Sequence, residues 1–227
     1  MKTTIVRILK KSPLLIAAVR SIRQRAVARG FESGKYWESR YRNGETSGGG
    51  SYGELAAFKA SVINEFIVQN KIRRIFELGC GDGNQLALLA VPDYVGFDVS
   101  RTAIERCKRR FLGDSTKNFI LLEQGEADRG VGRCDLMLSL DVLYHLTEDD
   151  VYDKYMRTVF ALSKRYVMIY SDDRDDSEIA EKVVHVRHRR FTAWIAAYCP
   201  EWVLKQKINN QFPEQSWCDF WIFEKRQ

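Results

Sequence analysis

Proline is scarce in this chain of 227 residues, at four, and no apolar run exceeds seven residues. A membrane-spanning helix needs about 20 consecutive apolar residues, so none is expected. The five cysteines (Cys80, Cys107, Cys134, Cys199 and Cys218) are odd in number, far apart and without a C-x-x-C pair. That spacing excludes a disulfide framework and a zinc ribbon, and it fits a reducing, cytoplasmic setting. Internal repeats are absent, and the one low-complexity tract is a run of glycines at 48–50. What remains, 45% hydrophobic and 29% charged, is the composition of one soluble globular domain with an appendage. A domain of this size buries about 70% of its unfolded surface, so its core needs no staples.

Acidic residues are missing altogether from residues 1–30, which hold eight of the 36 basic residues. The rest of the chain carries 28 basic against 30 acidic residues, so the formal charge of +6 resides in this arm. A nearly neutral body argues against a nucleic-acid substrate, which would call for a positive field around the site. In the arm, Ile5, Ile8, Leu9, Leu15, Ile16, Val19, Ile22 and Val27 recur at roughly helical spacing, interrupted at Pro13. This pattern is a basic amphipathic helix. It suits either peripheral attachment to an anionic inner-membrane surface or packing on the domain or on a second subunit. A secretory signal fits poorly, because the apolar stretch is short and Arg20 follows it at once.

Residues 31–70 read as a helical lid: a short helix at 35–41, a glycine-rich loop at 43–53 and a helix to about 68 with Leu55, Phe58, Val62 and Phe66 in apolar phase. From 71 to 227 strands and helices alternate. Strands are expected at 74–78, 94–98, 119–122, 136–140 and 166–170, and helices at 84–89, 101–111, 149–162 and 191–197. Two strand-like runs, 202–208 and 217–223, come next without a helix between them and suggest an antiparallel hairpin. Strands that are apolar on both faces belong to a parallel sheet covered by helices on both sides. The ligand of such an α/β domain sits beyond the carboxyl ends of the strands, where strand order reverses.

The expected strand at 74–78 carries Glu77 and runs into Gly79-Cys80-Gly81-Asp82-Gly83-Asn84. Alternate glycines let the backbone turn sharply and let a ligand approach it closely. A dinucleotide fingerprint, G-x-G-x-x-G, would need glycine where Asn84 stands. A carboxylate at Glu77 would repel a pyrophosphate and suits a cofactor with a positive amine or sulfonium. Asp98 ends the next strand at the distance where a carboxylate accepts two ribose hydroxyls. Glu126 and Ala127 follow the third strand, Leu140 ends the fourth, and Asp141, Tyr144 and His145 follow it.

In this order these elements resemble class I S-adenosylmethionine-dependent methyltransferases. The resemblance implies a Rossmann-like fold, with a mostly parallel seven-stranded sheet, a C-terminal antiparallel hairpin and helices on both faces. It also implies S-adenosyl-L-methionine as cofactor, held by Tyr52, Glu77, Gly79, Cys80, Gly81, Gly83, Asn84, Asp98, Val99, Glu126, Ala127, Leu140 and Asp141. Residues 36–41, 47–59 and 185–191 resemble a bacterial subgroup found alone or beside glycosyltransferases in polysaccharide and lipopolysaccharide clusters. That likeness implies O-methylation of a sugar or glycan precursor. N- or carboxyl-methylation of a small metabolite, and a non-catalytic protein that keeps the cofactor fold, stand as alternatives.

Methyl transfer from a sulfonium is an in-line displacement, so holding the acceptor atom collinear supplies most of the catalysis. A hydroxyl acceptor gains further from a base. His145 is the candidate base, with orientation of Asp141 as its other reading. His188 lies three residues from His185, beside Arg187, Arg189 and Arg190. On a helix the two histidines would share a face and, with the arginines, suit an anionic acceptor, or else form a solvated basic turn. The acids at 172–176 suggest hydrated loop over a magnesium site, and no metal is expected. Tyr52 and the glycines at 48–50 should fold over the cofactor as a lid. Trp37, Tyr41, Trp194 and Trp217 are candidates for acceptor stacking, or else core residues.

Overall fold

The computed structural model describes residues 31–122, 130–180 and 183–226. The basic arm, Glu126 and Ala127 therefore lie outside the described residues. Seven strands form one sheet: β1 (Arg74–Leu78), β2 (Asp93–Asp98), β3 (Lys117–Leu121), β4 (Cys134–Leu140), β5 (Ser163–Ser171), β6 (Trp202–Ile208) and β7 (Asp219–Lys225). Their order is β3-β2-β1-β4-β5-β7-β6, parallel from β3 to β5. β7 runs antiparallel to both β5 and β6, which is the expected hairpin. Chain order reverses between β1 and β4, so the carboxyl ends of β1, β2 and β4 frame the crevice of such a sheet.

Successive residues of a strand face opposite sides, and the two faces are covered by different helices. Ile75, Leu136 and Leu138 pack with Phe58, Ile63 and Phe66 of α2 (Gly53–Asn70). On the opposite face, Phe76 and Met137 meet Tyr152, Met156, Val159 and Phe160 of α4 (Asp149–Ala161) and Phe191 and Ile195 of α5 (Phe191–Tyr198). The remaining helices are α1 (Ser33–Arg42) and α3 (Arg101–Arg110).

α1 is tied to α3 through Glu38, which accepts hydrogen bonds from Ser100 Oγ (2.6 Å), Thr102 N (3.2 Å) and Thr102 Oγ1 (2.8 Å). A carboxylate at a helix N-terminus answers its unpaired N–H groups. Burial pushes the Glu38 carboxyl up, but the Ser100 and Thr102 hydrogen bonds outweigh it and bring it to about 2. Ser33 N donates to Glu148 Oε1 just before α4 (2.8 Å), so α1 bridges the elements that follow β2 and β4.

Two expectations need correction. The helix expected at 84–89 is only a single 3₁₀ turn, Leu86–Leu88. Ala90 N donates to Asn64 Oδ1 (2.8 Å) instead of continuing a helical ladder, and Pro92 lies two residues on. Residues 183–190 form no helix: Arg187 N donates to Tyr144 O (2.8 Å) and His188 N to Asp176 Oδ1 (2.8 Å). His185 and His188 therefore do not share a helical face.

Met156, fully buried between α4 and the sheet, tests this packing. Met156→Ala should lower unfolding stability in urea by about 2–5 kcal/mol; a loss under about 1 kcal/mol would contradict the burial of this helix face.

Candidate functional site

The turn after β1 is built around one carbonyl. Phe97 O, one residue before the end of β2, accepts hydrogen bonds from both Gly79 N (2.7 Å) and Cys80 N (3.0 Å). Gly79 has φ +87° and Gly81 φ +57°, a region that side chains rarely adopt. A Cβ on Gly79 would lie 2.5 Å from Val142 Cγ2, and one on Gly81 would press into the side chains of Ser47 and Tyr41. Here the alternating glycines answer steric demands from both sides of the turn.

A cavity of about 990 Å³ opens from this turn, bounded by α1, the carboxyl ends of β1, β2 and β4, and the first turns of α4. Glu77, Gly79, Cys80 and Gly81 line it, together with Asp98, Val99, Leu140 and Asp141. Eight residues expected to meet one cofactor thus face one space. Gly83 packs against Phe111 and Cys107, and Asn84 donates to Ser51 O (2.7 Å); both shape the turn from outside the cavity wall. Tyr52 also lies outside it, and its hydroxyl donates to Asp82 Oδ2 (2.8 Å). Ser47 N donates to the same oxygen (3.0 Å), and Asp82 N donates to Ser47 Oγ (3.0 Å). The 47–52 segment is thereby clasped to the glycine turn.

Three carboxylates converge here. Asp98 is buried and spans Gly81 N (2.9 Å) and Ser100 N (2.8 Å), one to each oxygen. Burial pushes it up to about 6 against the pull of those backbone bonds. Glu77, equally buried, accepts from Tyr94 OH (2.5 Å). Its carboxyl is pushed up to about 7 by burial, with the Tyr94 bond and the Lys59 cation opposing the rise. Asp141 accepts Tyr144 OH on Oδ1 (2.9 Å) and Lys59 Nζ on Oδ2 (2.6 Å). Two carboxyls poised near neutrality in one cavity fit a ligand that brings positive charge and hydroxyl donors. A cradle with no room for a Cβ beside them fits close approach by that ligand's backbone-facing edge.

His145 also lines the cavity. Its Nδ1 lies 3.1 Å from His185 O. A carbonyl only accepts, so Nδ1 carries the hydrogen and Nε2 the lone pair. Burial lowers the ring to about 4, which keeps it neutral. Trp37 meets it edge-on at 4.9 Å between ring centres and lines the same cavity, as does Tyr41.

Other expected residues lie elsewhere. His188 is buried, outside the cavity, with Nδ1 2.9 Å from Asp172 Oδ2 but without hydrogen-bond alignment. The arginines near it are engaged: Arg187 with Thr147 O and Asp149, Arg189 with Leu146 O and Asp149, and Arg190 with Glu178. Trp194 packs on Phe160 and bonds Asp153, and Trp217 is 67% exposed with Arg174 stacked on it. In the 172–176 loop, Asp172 pairs with Arg174 and Asp173 with Thr192. Among the described residues, no three His, Cys, Asp or Glu side chains are grouped to hold a metal ion, and no helix is long and apolar enough to cross a membrane.

Lys59 and Tyr155 escaped the sequence reading. Lys59 left a signal, since its place four residues after Leu55 and seven before Phe66 sets a charge in the apolar stripe of α2. Tyr155 left none. Its hydroxyl donates to Leu78 O (2.8 Å) and lies 2.7 Å from Ser139 Oγ, bracing the end of β1 from the other face.

A family model described as a methyltransferase domain matches residues 18–220. The fold is similar to the methyltransferase domain of bacterial CtHen1-C, with a TM-score of 0.62 and 15% identity, covering 77% of this chain and 100% of that one. Magnesium protoporphyrin IX methyltransferase (ChlM) from Synechocystis PCC 6803, with bound SAM, superposes with a TM-score of 0.59 at 13% identity, covering 87% and 98%. The N-methyltransferase NodS from Bradyrhizobium japonicum WM9, in complex with S-adenosyl-L-homocysteine, gives 0.58 at 16%, covering 75% and 86%. At these identities the likeness is one of fold. No protein of curated function matches the sequence.

The raised Glu77 carboxyl makes a signed prediction. A folded value near 7 against 4.5 unfolded means that the fold prefers the protonated acid. The resulting stabilisation is complete below pH 4.5 and is lost as pH rises through 7. Relative to the parent, Glu77→Gln should therefore gain stability between pH 4.5 and 7, by on the order of 3 kcal/mol. His145, lowered to about 4, acts in the opposite direction but in both proteins, so the difference cancels it. A pH-independent difference in urea midpoints would contradict the buried placement of Glu77.

Proposed function

The chain belongs to the methyltransferase-domain family, and from that premise we propose that it uses S-adenosylmethionine to methylate a hydroxyl of a sugar or glycan precursor. When bound, the cofactor supplies an electrophilic methyl group on a sulfonium. Gly79 and Gly81 would admit it against bare backbone, Asp98 would accept its ribose hydroxyls, and Glu77 would balance its positive charge. Solved structures of the same fold with SAM or S-adenosyl-L-homocysteine bound support this choice of cofactor.

The observation that carries the hydroxyl reading is the 3.1 Å approach of His145 Nδ1 to His185 O. Its Nδ1–H is committed to the His185 carbonyl, which leaves a neutral Nε2 lone pair on a residue of the same cavity. A hydroxyl is a poor nucleophile until its proton has a destination, and Nε2 supplies one. Asp141, held by two partners on the cavity wall, orients the turn that carries His145. The sugar class draws support from the mixture on the remaining wall. The ring of Trp37 stands there with the hydrogen-bonding side chains of Glu32, Lys35, Asp150, Lys154 and Thr158. An aromatic face among donors and acceptors suits a polyhydroxylated ring.

His188 and its arginines give no support to an anionic acceptor, since their partners are carboxylates and carbonyls of the protein itself. A carboxylate acceptor needs no base, and on that chemistry His145 would be dispensable.

The test is transfer of a radiolabelled methyl group from S-adenosylmethionine to a panel of nucleotide sugars and glycan precursors, by the parent and by His145→Gln. The variant should bind S-adenosylhomocysteine as the parent does while turnover falls by about 10²–10⁴-fold. Equal turnover would remove His145 as the base and return the carboxyl-methylation reading.

A further inference from the structure

We propose that Lys59 is a positioning residue, whose buried ammonium fixes Asp141 and, through it, sets residues 142–145 against the cofactor turn. The proposal rests on the S-adenosylmethionine reading of the site and concerns a residue that lies behind the cavity wall rather than on it.

Lys59 lies in the apolar stripe of α2 and is fully buried. Its Nζ is 2.6 Å from Asp141 Oδ2 and 5.1 Å from the centre of the Tyr170 ring. Burying an ammonium costs desolvation that a well-packed apolar residue of similar volume would not incur. Stability of the helix–sheet contact therefore gives no reason for lysine here, and its partner does.

Asp141 is one of two non-glycine residues with positive φ among the described residues; the other, Lys71, is an ordinary left-handed helix cap. Asp141, at φ +59°, stands instead at the end of β4, with its N–H on Tyr170 O (3.0 Å). Such a backbone persists only where the surroundings over-determine it. The determinants are Lys59 on one oxygen, Tyr144 OH on the other, and Gly50 lying over the carboxylate. A Cβ added to Gly50 would come within 2.7 Å of Asp141 Oδ2.

In the segment immediately after Asp141, Val142 and His145 line the cavity. Val142 packs on Gly79, where no Cβ fits, and His145 N donates to Val142 O (2.9 Å). One carboxylate thus joins the lid helix, the lid loop, the cofactor turn and the base. Without Lys59 the carboxylate keeps Tyr144 alone and swings toward water in the cavity. The left-handed backbone at 141 then loses its restraint, and Val142 and His145 lose their register with Gly79.

Hydrogen–deuterium exchange on the full chain, with and without S-adenosylhomocysteine, tests this. In the parent the ligand should protect 79–83 and 141–146 together. In Lys59→Met it should still protect 79–83, while its added protection at 141–146 falls by about tenfold or more; Lys59→Arg should recover most of it. Equal protection of 141–146 in parent and Lys59→Met would overturn the positioning role, whatever the melting temperatures. If Lys59→Met does not fold, Gly50→Ala makes the same test from the loop. Its methyl group drives the carboxylate off Lys59, and unchanged protection would again overturn the proposal. Absence of any effect of the ligand on the parent would instead overturn the cofactor reading itself.

Discussion

Three carboxylates gathered at the carboxyl ends of neighbouring parallel strands set the terms for the rest of the structure. Glu77 lies one residue before the end of β1, Asp98 ends β2 and Asp141 follows β4, and the three share one cavity. Burial opposes their charge, and the surrounding elements are arranged to contain that cost. Tyr94 answers Glu77, backbone N–H groups answer Asp98, and Lys59 with Tyr144 answers Asp141. The Glu77 and Asp98 carboxyls remain raised by burial. A site left in that condition is prepared for a ligand that brings a positive charge, and a cationic sulfonium cofactor meets the requirement.

The elements before the sheet take their positions from the same need. α1 reaches across from Glu148 to Ser100, and the 47–52 segment closes on Asp82 in the middle of the glycine turn. Arg106 of α3 adds bonds to Tyr41 O and Glu45 O, so the cover is fastened from the side as well. These contacts join α1 and the 47–52 segment to the rim of the cavity by hydrogen bonds, while α2 packs its apolar face on the sheet.

Legibility in the sequence followed the range of the interactions. The alternation of strands and helices, the terminal hairpin and most of the expected residues on the cavity wall rest on local patterns, namely apolar strands, alternating glycines and acids at strand ends. Glu77, Gly79, Asp98 and Asp141 were readable for that reason. Features that depended on distant partners were not. The helix expected at 84–89 gave way to a tertiary bond from Asn64, and His188 was drawn away from the cavity toward Asp172 and Asp176. Tyr52 reads as a cofactor cover, yet its hydroxyl serves Asp82. Lys59 shows the intermediate case: a charge in an apolar stripe is visible in the sequence, but its partner 82 positions away is not.

The central claim is that these carboxylates and glycines form a site for a sulfonium cofactor and not for a dinucleotide. Isothermal titration of S-adenosylmethionine, S-adenosylhomocysteine and NAD into the parent and into Asp98→Ala tests it most directly. A sulfonium site predicts binding of both sulfur compounds, no heat from NAD, and a loss on the order of 2 kcal/mol for both in the variant. Binding of NAD, or equal affinity for the sulfur compounds with and without Asp98, would contradict it.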